Sequence, residues 1–225
     1  MKQVFAPGCA LLIYKPELAE RIGKLLVEHD PAIEEHTICC RHEPGLATGV
    51  RVINVCAGCD KRYRELHQAT STISFWEVLA SDEQFPLPDY RGQQMSILDA
   101  CPTRDQERVH QAIRTLLGRM NIELHEPEQT GARSTCCGDS FFGKVPVAEV
   151  KQQMIKRAAE MPAIDVVVYC VSCIKAMHIG GKRPRYLVDL LFGEQTCPGI
   201  FEPEEWHHKL DDFIERHSGN ARFSL

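Results

Sequence analysis

The amino-acid sequence predicts an α/β protein of two pseudo-symmetric halves, each a small, mostly parallel sheet flanked by helices. A duplicated cysteine pattern is the first reason, because ten of the eleven cysteines form two copies of one order. Each copy has a single cysteine, then an adjacent Cys-Cys pair, then a Cys-x-x-Cys. Short apolar runs typical of strands precede these cysteines. The helical patterns SFWEVLA and RYLVDLLF, each placed after a Cys-x-x-Cys, indicate duplication independently of the cysteines.

The first half contains three predicted strands, at residues 2–6, 34–38 and 49–55. A Pro-Gly turn leads from the first strand to Cys9, and Pro16 begins a helix with one apolar face. The second strand ends at the adjacent pair, and the third is followed by a Cys-x-x-Cys that begins a polar helix. A further helix is predicted at residues 74–80.

The second half repeats this order, with predicted strands at residues 95–100, 122–125 and 164–169. The last of these, IDVVVY, is a near-continuous apolar run typical of a strand buried on both faces. Apolar residues at helical spacing predict helices at residues 109–120, 147–161, 184–192 and 204–217. Residues 131–137 are predicted to be a loop.

The domain organisation follows from a change in composition between the halves. A stretch rich in proline, glycine and polar residues predicts a linker at residues 83–94. We expect residues 1–82 to form a shortened first half and residues 95–225 to form the second half with a C-terminal helix.

The positions of the cysteines along the chain predict where they meet in space. Nearly every motif cysteine follows the carboxyl end of a predicted strand. Strands joined by right-handed crossovers direct these ends to one edge of a parallel sheet, where ligands bind. The sequence therefore predicts metal sites at the carboxyl ends of the strands.

Charge and hydropathy exclude several classes of partner. A formal net charge of −5 without a long Lys/Arg run gives no electrostatic basis for binding nucleic acid or an anionic membrane. We expect no direct membrane span, because no apolar run reaches the required length. These features favour a cytoplasmic protein.

The cysteine count favours metal ligation, because the cytosol keeps thiols reduced and eleven cysteines are poorly explained there as disulfides. The candidate ligands are Cys9, Cys39, Cys40, Cys56 and Cys59, named here the first cysteine set, and Cys101, Cys136, Cys137, Cys170 and Cys173, named here the second cysteine set. The remaining cysteine, Cys197, belongs to neither set and is expected to be a free thiol.

The kind of metal group is suggested by the adjacent pairs. Two thiolates separated by two residues at a helix N-terminus suit one metal centre, but adjacent cysteines point awkwardly at a single ion. Five thiolates per set also exceed the four of a structural zinc site. An iron-sulfur cluster is thus favoured over two alternatives, a thioredoxin-type redox motif and structural zinc in both halves.

The second cysteine set resembles the motif of the CCG cysteine-rich family, typified by the disulfide-reducing subunit of heterodisulfide reductase. The family pattern is a cysteine, Cys-Cys-Gly and Cys-x-x-Cys, usually present twice, and Gly138 completes it here. The first copy departs from it, because Arg41 stands in place of the glycine. Its pair and its Cys-x-x-Cys are separated by fifteen residues rather than the thirty-two of the second copy. Helix 147–161 accordingly has no predicted counterpart in the first half.

This resemblance implies noncubane 4Fe-4S clusters, one or two in number, with zinc possible at the first motif. It implies an oxidoreductase subunit in which Cys136 and Cys137 take part in cluster-based catalysis on a disulfide substrate. It also implies a partner subunit that carries ferredoxin-type clusters or flavin, since the chain has neither a ferredoxin-type cysteine run nor a dinucleotide fingerprint. The alternatives are a non-catalytic electron-transfer subunit of a flavin dehydrogenase and a zinc-binding structural protein.

Several residues near the motifs carry secondary predictions. Gly138 is expected to let a cluster or substrate approach the backbone. The histidines, His36 and His42 among them, are expected at the surface or at helix ends rather than as ligands, and His42 is the one to check because it lies beside an adjacent pair. Three cations flank the second motif and could offset negative charge or hold an anionic substrate: Arg133, Lys144 and Lys175.

Overall fold

The computed structural model describes residues 1–67, 69–200 and 202–217. It consists of two compact units, one formed by Met1–Val78 with His208–Leu225 and the other by Leu79–His207. Each unit contains a four-stranded sheet in which every strand pair is parallel. The prediction of an α/β protein with two similar halves is confirmed.

The first unit has strand order β2-β1-β3-β4. Its strands are β1 (Gln3–Ala6), β2 (Glu34–Glu35), β3 (Arg51–Asn54) and β4 (Ser71–Ser74). The helices associated with these strands are α1 (Cys9–Tyr14), α2 (Pro16–His29), α3 (Ala57–Leu66) and α4 (Phe75–Ser81). Pro16 begins α2, where its fixed φ suits the first helical position.

The second unit has strand order β6-β5-β7-β8. Its strands are β5 (Gln93–Leu98), β6 (Ile122–His125), β7 (Asp165–Val168) and β8 (Arg183–Tyr186). The helices of this unit are α5 (Glu107–Arg119), α6 (Val147–Ala159), α7 (Val171–Ile179) and α8 (Leu187–Leu191), whereas α9 (Pro203–Arg216) begins in the second unit and belongs to the first unit from His208 onward. All four residues of β7 are buried, as predicted for a strand covered on both faces.

The strand registers of the two sheets correspond residue by residue. Val4 pairs with Glu34, and Ser96 pairs with His125. Val4 and Ser96 each lie five residues before the first cysteine of their half. The duplication seen in the cysteine order is therefore also a duplication of sheet geometry, which defines equivalent positions in the two units.

Helix α6 has no counterpart in the first unit, as predicted. Residues 36–50, all of which the structure describes, connect β2 to β3 without a helix. The predicted strand at residues 34–38 is shorter than expected and ends at Glu35. The second unit instead inserts α6, which packs against α7.

Two edge strands depart from the predictions. The predicted helix at residues 184–192 is wrong at its start, because Pro184, Arg185 and Tyr186 pair with β7 as part of β8. Ser74 likewise ends β4 rather than beginning a helix. Both strands are short and only partly buried, so their four residues carry little apolar alternation. Pro184 is tolerated because β8 lies at the sheet edge.

The prediction that the chain has no membrane span can be compared with the helices of the described residues. None of these helices combines the length and the apolar character needed to cross a bilayer. The cytoplasmic location stays a prediction.

Candidate metal centres

The cysteines of both sets lie just past the carboxyl ends of parallel strands or in the loops that follow them. Cys56 and Cys170 occupy the residue before α3 and α7, so the second cysteine of each Cys-x-x-Cys lies in the first helical turn. In a parallel sheet the carboxyl ends share one edge, which brings distant residues together. The prediction that the cysteines gather at the strand ends is confirmed.

The first cysteine set forms a continuous row of contacting thiols. The Sγ atoms of Cys9 and Cys39 are 3.0 Å apart. Cys39 is also hydrogen-bonded to Cys40, and Cys40 to Cys59. The row ends with a hydrogen bond between Cys59 and Cys56. Five residues from three segments of the chain thus form one sulfur-lined site.

The second cysteine set forms the same row in the same order. Cys101 is hydrogen-bonded to Cys136, and Cys136 to its neighbour Cys137. Cys137 is bonded to Cys173, which in turn is bonded to Cys170. Each step matches one in the first row, although the loop between the pair and the Cys-x-x-Cys is much longer here.

One thiol in each row is favoured as the anion. Hydrogen bonds from Cys40 and Cys9 lower the pKa of the Cys39 thiol far below its usual value. Bonds from Cys101 and Cys137 likewise lower the pKa of Cys136. Because the thiolate is the species that binds metal, hydrogen bonding among the thiols favours metal ligation by each set.

The number of thiols in each row exceeds what a single metal ion needs. No three His, Cys, Asp or Glu side chains of the described residues are arranged as a ready-made site for one ion. A structural zinc site would need four ligands around one point. A row of five thiols fits a larger group that offers several bonding positions, and the residues of both sets fit an iron-sulfur cluster in this respect.

Further donors point at Cys136 in the second unit. The backbone N–H of Gly138 donates to the Cys136 Sγ at 3.3 Å, and the Ser140 hydroxyl lies 2.9 Å from the same sulfur. Gly138 adopts φ +110, in the left-handed region that turns the chain sharply after the pair. This turn brings the N–H back toward a sulfur, where it stabilises negative charge.

A buried ion pair lies directly behind the second cysteine set. The Lys175 Nζ is 2.5 Å from the Asp139 Oδ1, and the lysine side chain is only 2% exposed. His207 Nε2 lies 3.1 Å from the same oxygen, and Trp206 offers its ring face to Lys175 at 5.0 Å. Burial disfavours the Asp139 carboxylate, but His207 and Lys175 outweigh it and lower its pKa.

Asp99, two residues before Cys101, anchors the loop that carries the adjacent pair. Its buried carboxylate accepts hydrogen bonds from the Gly131 N–H at 2.7 Å and the Thr130 hydroxyl at 2.9 Å. Arg114 of α5 binds both of its carboxylate oxygens, at 3.1 and 2.7 Å. These bonds tie the loop to the end of β5, so Cys136 is held close to Cys101.

The first cysteine set is covered by apolar side chains of its own unit. Ile214 packs with Cys9 and Cys39, together with the partly buried Leu210 and Phe213. The adjacent pair of this set has one buried and one partly buried cysteine, as in the second set. In the second set, however, three cysteines are partly exposed rather than two, so the second site is the more accessible.

The structure changes the ranking of the flanking residues. His42, the histidine to check beside an adjacent pair, has its Nε2 within hydrogen-bond distance of the Ile214 carbonyl at 3.2 Å. His36, predicted at the surface or at a helix end, is instead buried and lines a narrow cavity with four cysteines of the first set. Of the three flanking cations, Lys175 is buried against Asp139, whereas Arg133 and Lys144 are exposed.

Sequence reasoning missed the residues that support the cysteines from behind. Asp99 places a carboxylate at the end of an otherwise apolar predicted strand, in the segment LDAC. A charged residue in such a segment is unusual, and it could have indicated a supporting role. Tyr63 and Asp139 gave no comparable signal, because each lies in a polar segment where such residues are common.

The second half of the chain is similar to a known protein family. The family model of the CCG cysteine-rich domain matches residues 96–178, a segment that contains the entire second cysteine set. This segment is similar to CCG cysteine-rich domains. The predicted resemblance is therefore confirmed for this part of the chain.

Two individual proteins are also similar to the chain. A protein of Chromohalobacter salexigens described as a probable membrane-anchored ferredoxin is 30% identical over 122 residues. The matched region is 52% of this chain but only 17% of that protein. The crystal structure of glutamate racemase RacE1 from Bacillus anthracis matches 97% of this chain and 84% of its own at 9% identity, with a TM-score of 0.38.

Proposed function

We propose that the chain is an iron-sulfur protein that transfers electrons as a subunit of a redox complex. The observation that carries this proposal is the row of five thiols, formed twice with the same order of contacts. A single tetrahedral ion would use only four of them. The CCG match and the similarity to a protein named a ferredoxin support the same class.

We further propose that the groups held by the two cysteine sets are 4Fe-4S clusters of the noncubane type, as in the disulfide-reducing subunit of heterodisulfide reductase. When bound, such a group supplies one-electron chemistry close to a sulfur substrate. The cysteines of each set would hold it. The Gly138 N–H donates to Cys136, and the Ser140 hydroxyl lies within hydrogen-bond distance of the same sulfur.

The second site is proposed to be the reactive one, with Cys136 and Cys137 closest to the chemistry. Three partly exposed cysteines make it the more accessible site. The apolar cover over Cys9 and Cys39 leaves less access at the first site. We therefore assign to the first site an electron relay or a structural metal, with zinc as the alternative there.

The proposed substrate is a disulfide, which takes up two electrons and two protons to give two thiols. The electrons would come from a partner subunit that carries ferredoxin-type clusters or flavin. The competing function is electron transfer alone, with no substrate bound to this chain. The name of the Chromohalobacter relative, a probable ferredoxin, favours that competitor.

Anaerobic metal analysis tests the proposal. We expect iron and acid-labile sulfide well above zinc, with visible absorption that is partly bleached on reduction. Replacing Cys137 by Ala and, separately, Cys40 by Ala should each remove the spectrum of one centre, because each residue links the two ends of its row. Cys197→Ala is the matched control, since this exposed cysteine belongs to neither set.

Two results would contradict parts of this assignment. Zinc alone, with no visible absorption, would reject the iron-sulfur class. Loss of disulfide-linked redox activity in the Cys40 variant, with activity retained in the Cys137 variant, would reverse the roles of the two sites.

A further inference from the structure

The first cysteine site has a polar wall formed by Tyr63 and His36. A narrow cavity of the first unit is lined by Cys9, Cys39, Cys40 and Cys59, and also by Tyr63 and His36. Tyr63 is 1% exposed and His36 is 8% exposed. Both therefore line a space that is closed to most solvent and lined by thiols.

These two side chains have no hydrogen-bond partner for their inward polar atoms. Among the described residues, nothing pairs with the Tyr63 hydroxyl or with the His36 Nε2. Leaving a buried hydroxyl unpaired is unfavourable, so such groups normally have a partner. The cavity they line contains the thiols of the first set, which points to a partner located there.

Both side chains can act as hydrogen-bond donors. The phenol of Tyr63 carries an O–H, and an imidazole such as that of His36 carries at least one N–H in either protonation state.

The equivalent positions of the second unit are apolar. Tyr63 lies four residues after the last cysteine of its set, and the corresponding residue is Met177. Glu34 of β2 and His125 of β6 occupy equivalent positions, because they pair with the equivalent residues Val4 and Ser96. His36 and Pro127 each lie two residues further along the chain and are therefore also equivalent. Met177 and Pro127 are both buried, so the polar wall belongs to the first site alone.

We propose that the Tyr63 hydroxyl and the His36 Nε2–H donate hydrogen bonds to sulfur atoms of the group held by the first cysteine set. This inference rests on the proposed iron-sulfur function. Hydrogen bonds to sulfur help to set the reduction potential of a cluster, and reduction adds negative charge that such donors stabilise. The two residues thus raise the reduction potential of the first centre and favour its role as an acceptor of electrons.

Tyr63→Phe is the decisive variant, because it removes only a hydroxyl that lacks a protein partner. We expect iron content and thermal stability to be retained. The midpoint potential of the first centre should fall by about 59 mV or more, which is a tenfold change in a one-electron equilibrium. EPR-monitored redox titration of the full chain measures this, with Cys40→Ala used to identify the signals that belong to the first centre.

Controls separate the hydroxyl from general repacking. Met177→Leu, at the equivalent position of the second unit, should leave the first potential unchanged. His36→Leu should lower it, and His36→Gln, which keeps an N–H donor, should lower it less. Pulsed EPR in deuterated buffer should show an exchangeable deuteron near the first centre that is lost in Tyr63→Phe.

The outcomes distinguish this inference from the proposed function. Wild-type protein with zinc and no iron would defeat the proposed function itself. Zinc at the first site with iron at the second would overturn only this inference, because no redox potential would exist to adjust. An iron-loaded first centre whose potential and deuteron signal are the same in Tyr63→Phe would also overturn it. Should Tyr63→Phe fail to retain iron, unchanged potentials in His36→Leu would overturn it equally.

Discussion

Gly138→Ala should lower the free energy of unfolding by about 2–5 kcal/mol. This value is the sum of the cost of a left-handed backbone conformation at alanine and the cost of an overpacked contact. Gly138 has φ +110, which side chains with a Cβ rarely adopt. A Cβ built there would lie 2.7 Å from the Met154 Cγ and 2.8 Å from the Met154 backbone nitrogen. The backbone of α6 cannot move away without losing its packing against α7.

Gly143→Ala is the matched control for this experiment. Gly143 also has a positive φ, +75, but a Cβ there would meet nothing within 4 Å. The control should therefore show only the conformational cost, about 1–2 kcal/mol. Denaturant unfolding of anaerobically purified protein measures both. Equal losses in the two variants would show that contact with Met154 contributes nothing.

This contact corrects the role predicted for the glycine of the Cys-Cys-Gly motif. Sequence reasoning expected Gly138 to admit a cluster or substrate, whereas the structure places Met154 of α6 against it. The same contact accounts for Arg41 at the equivalent position of the first half. That half has no α6 between β2 and β3, and Arg41 does not have a positive φ.

The sequence predicted those features that are repeated or periodic. The duplicated cysteine order indicated two similar halves, and the apolar run IDVVVY indicated a strand buried on both faces. The placement of cysteines at strand ends followed from the topology of parallel sheets. Each of these signals extends over many residues, so tertiary context did not override it.

The supporting residues around the sites could not be predicted in this way. Tyr63 and His36 are 27 positions apart in sequence and meet only because β2 and α3 adjoin the same strand ends. His42 is the nearer of the two histidines to the adjacent pair, but its bond to the Ile214 carbonyl depends on a residue far along the chain. Single side chains with distant partners leave no periodic pattern to detect.

Asp139→Ala should lower the free energy of unfolding by about 3–5 kcal/mol, because removal of one partner leaves a buried charge uncompensated. The remaining charge is that of Lys175, whose side chain is 2% exposed and whose Nζ lies 2.5 Å from the Asp139 Oδ1. Trp206 provides a ring face to this ammonium group, but a cation–π contact does not replace a carboxylate.

The double variant Asp139→Ala/Lys175→Met identifies the cause. It removes both charges, so it should be more stable than Asp139→Ala alone, with a coupling energy of about 1–3 kcal/mol in a double-mutant cycle. Additive losses would show that the two side chains stabilise the unit independently. Denaturant unfolding of all four proteins under anaerobic conditions gives the cycle.

The first unit supplies a control at the equivalent position. Lys61 lies two residues after the last cysteine of its set, as Lys175 does in the second unit. It pairs with Glu65 at 3.6 Å on the surface of α3, where both side chains are about half exposed. Water and entropy reduce such a pair to about 0.5 kcal/mol or less, so Glu65→Ala should change stability little. An equally small loss of stability in Asp139→Ala would mean that solvent reaches the Lys175 ammonium group. The charge of Lys175 would then be screened from the second cysteine set.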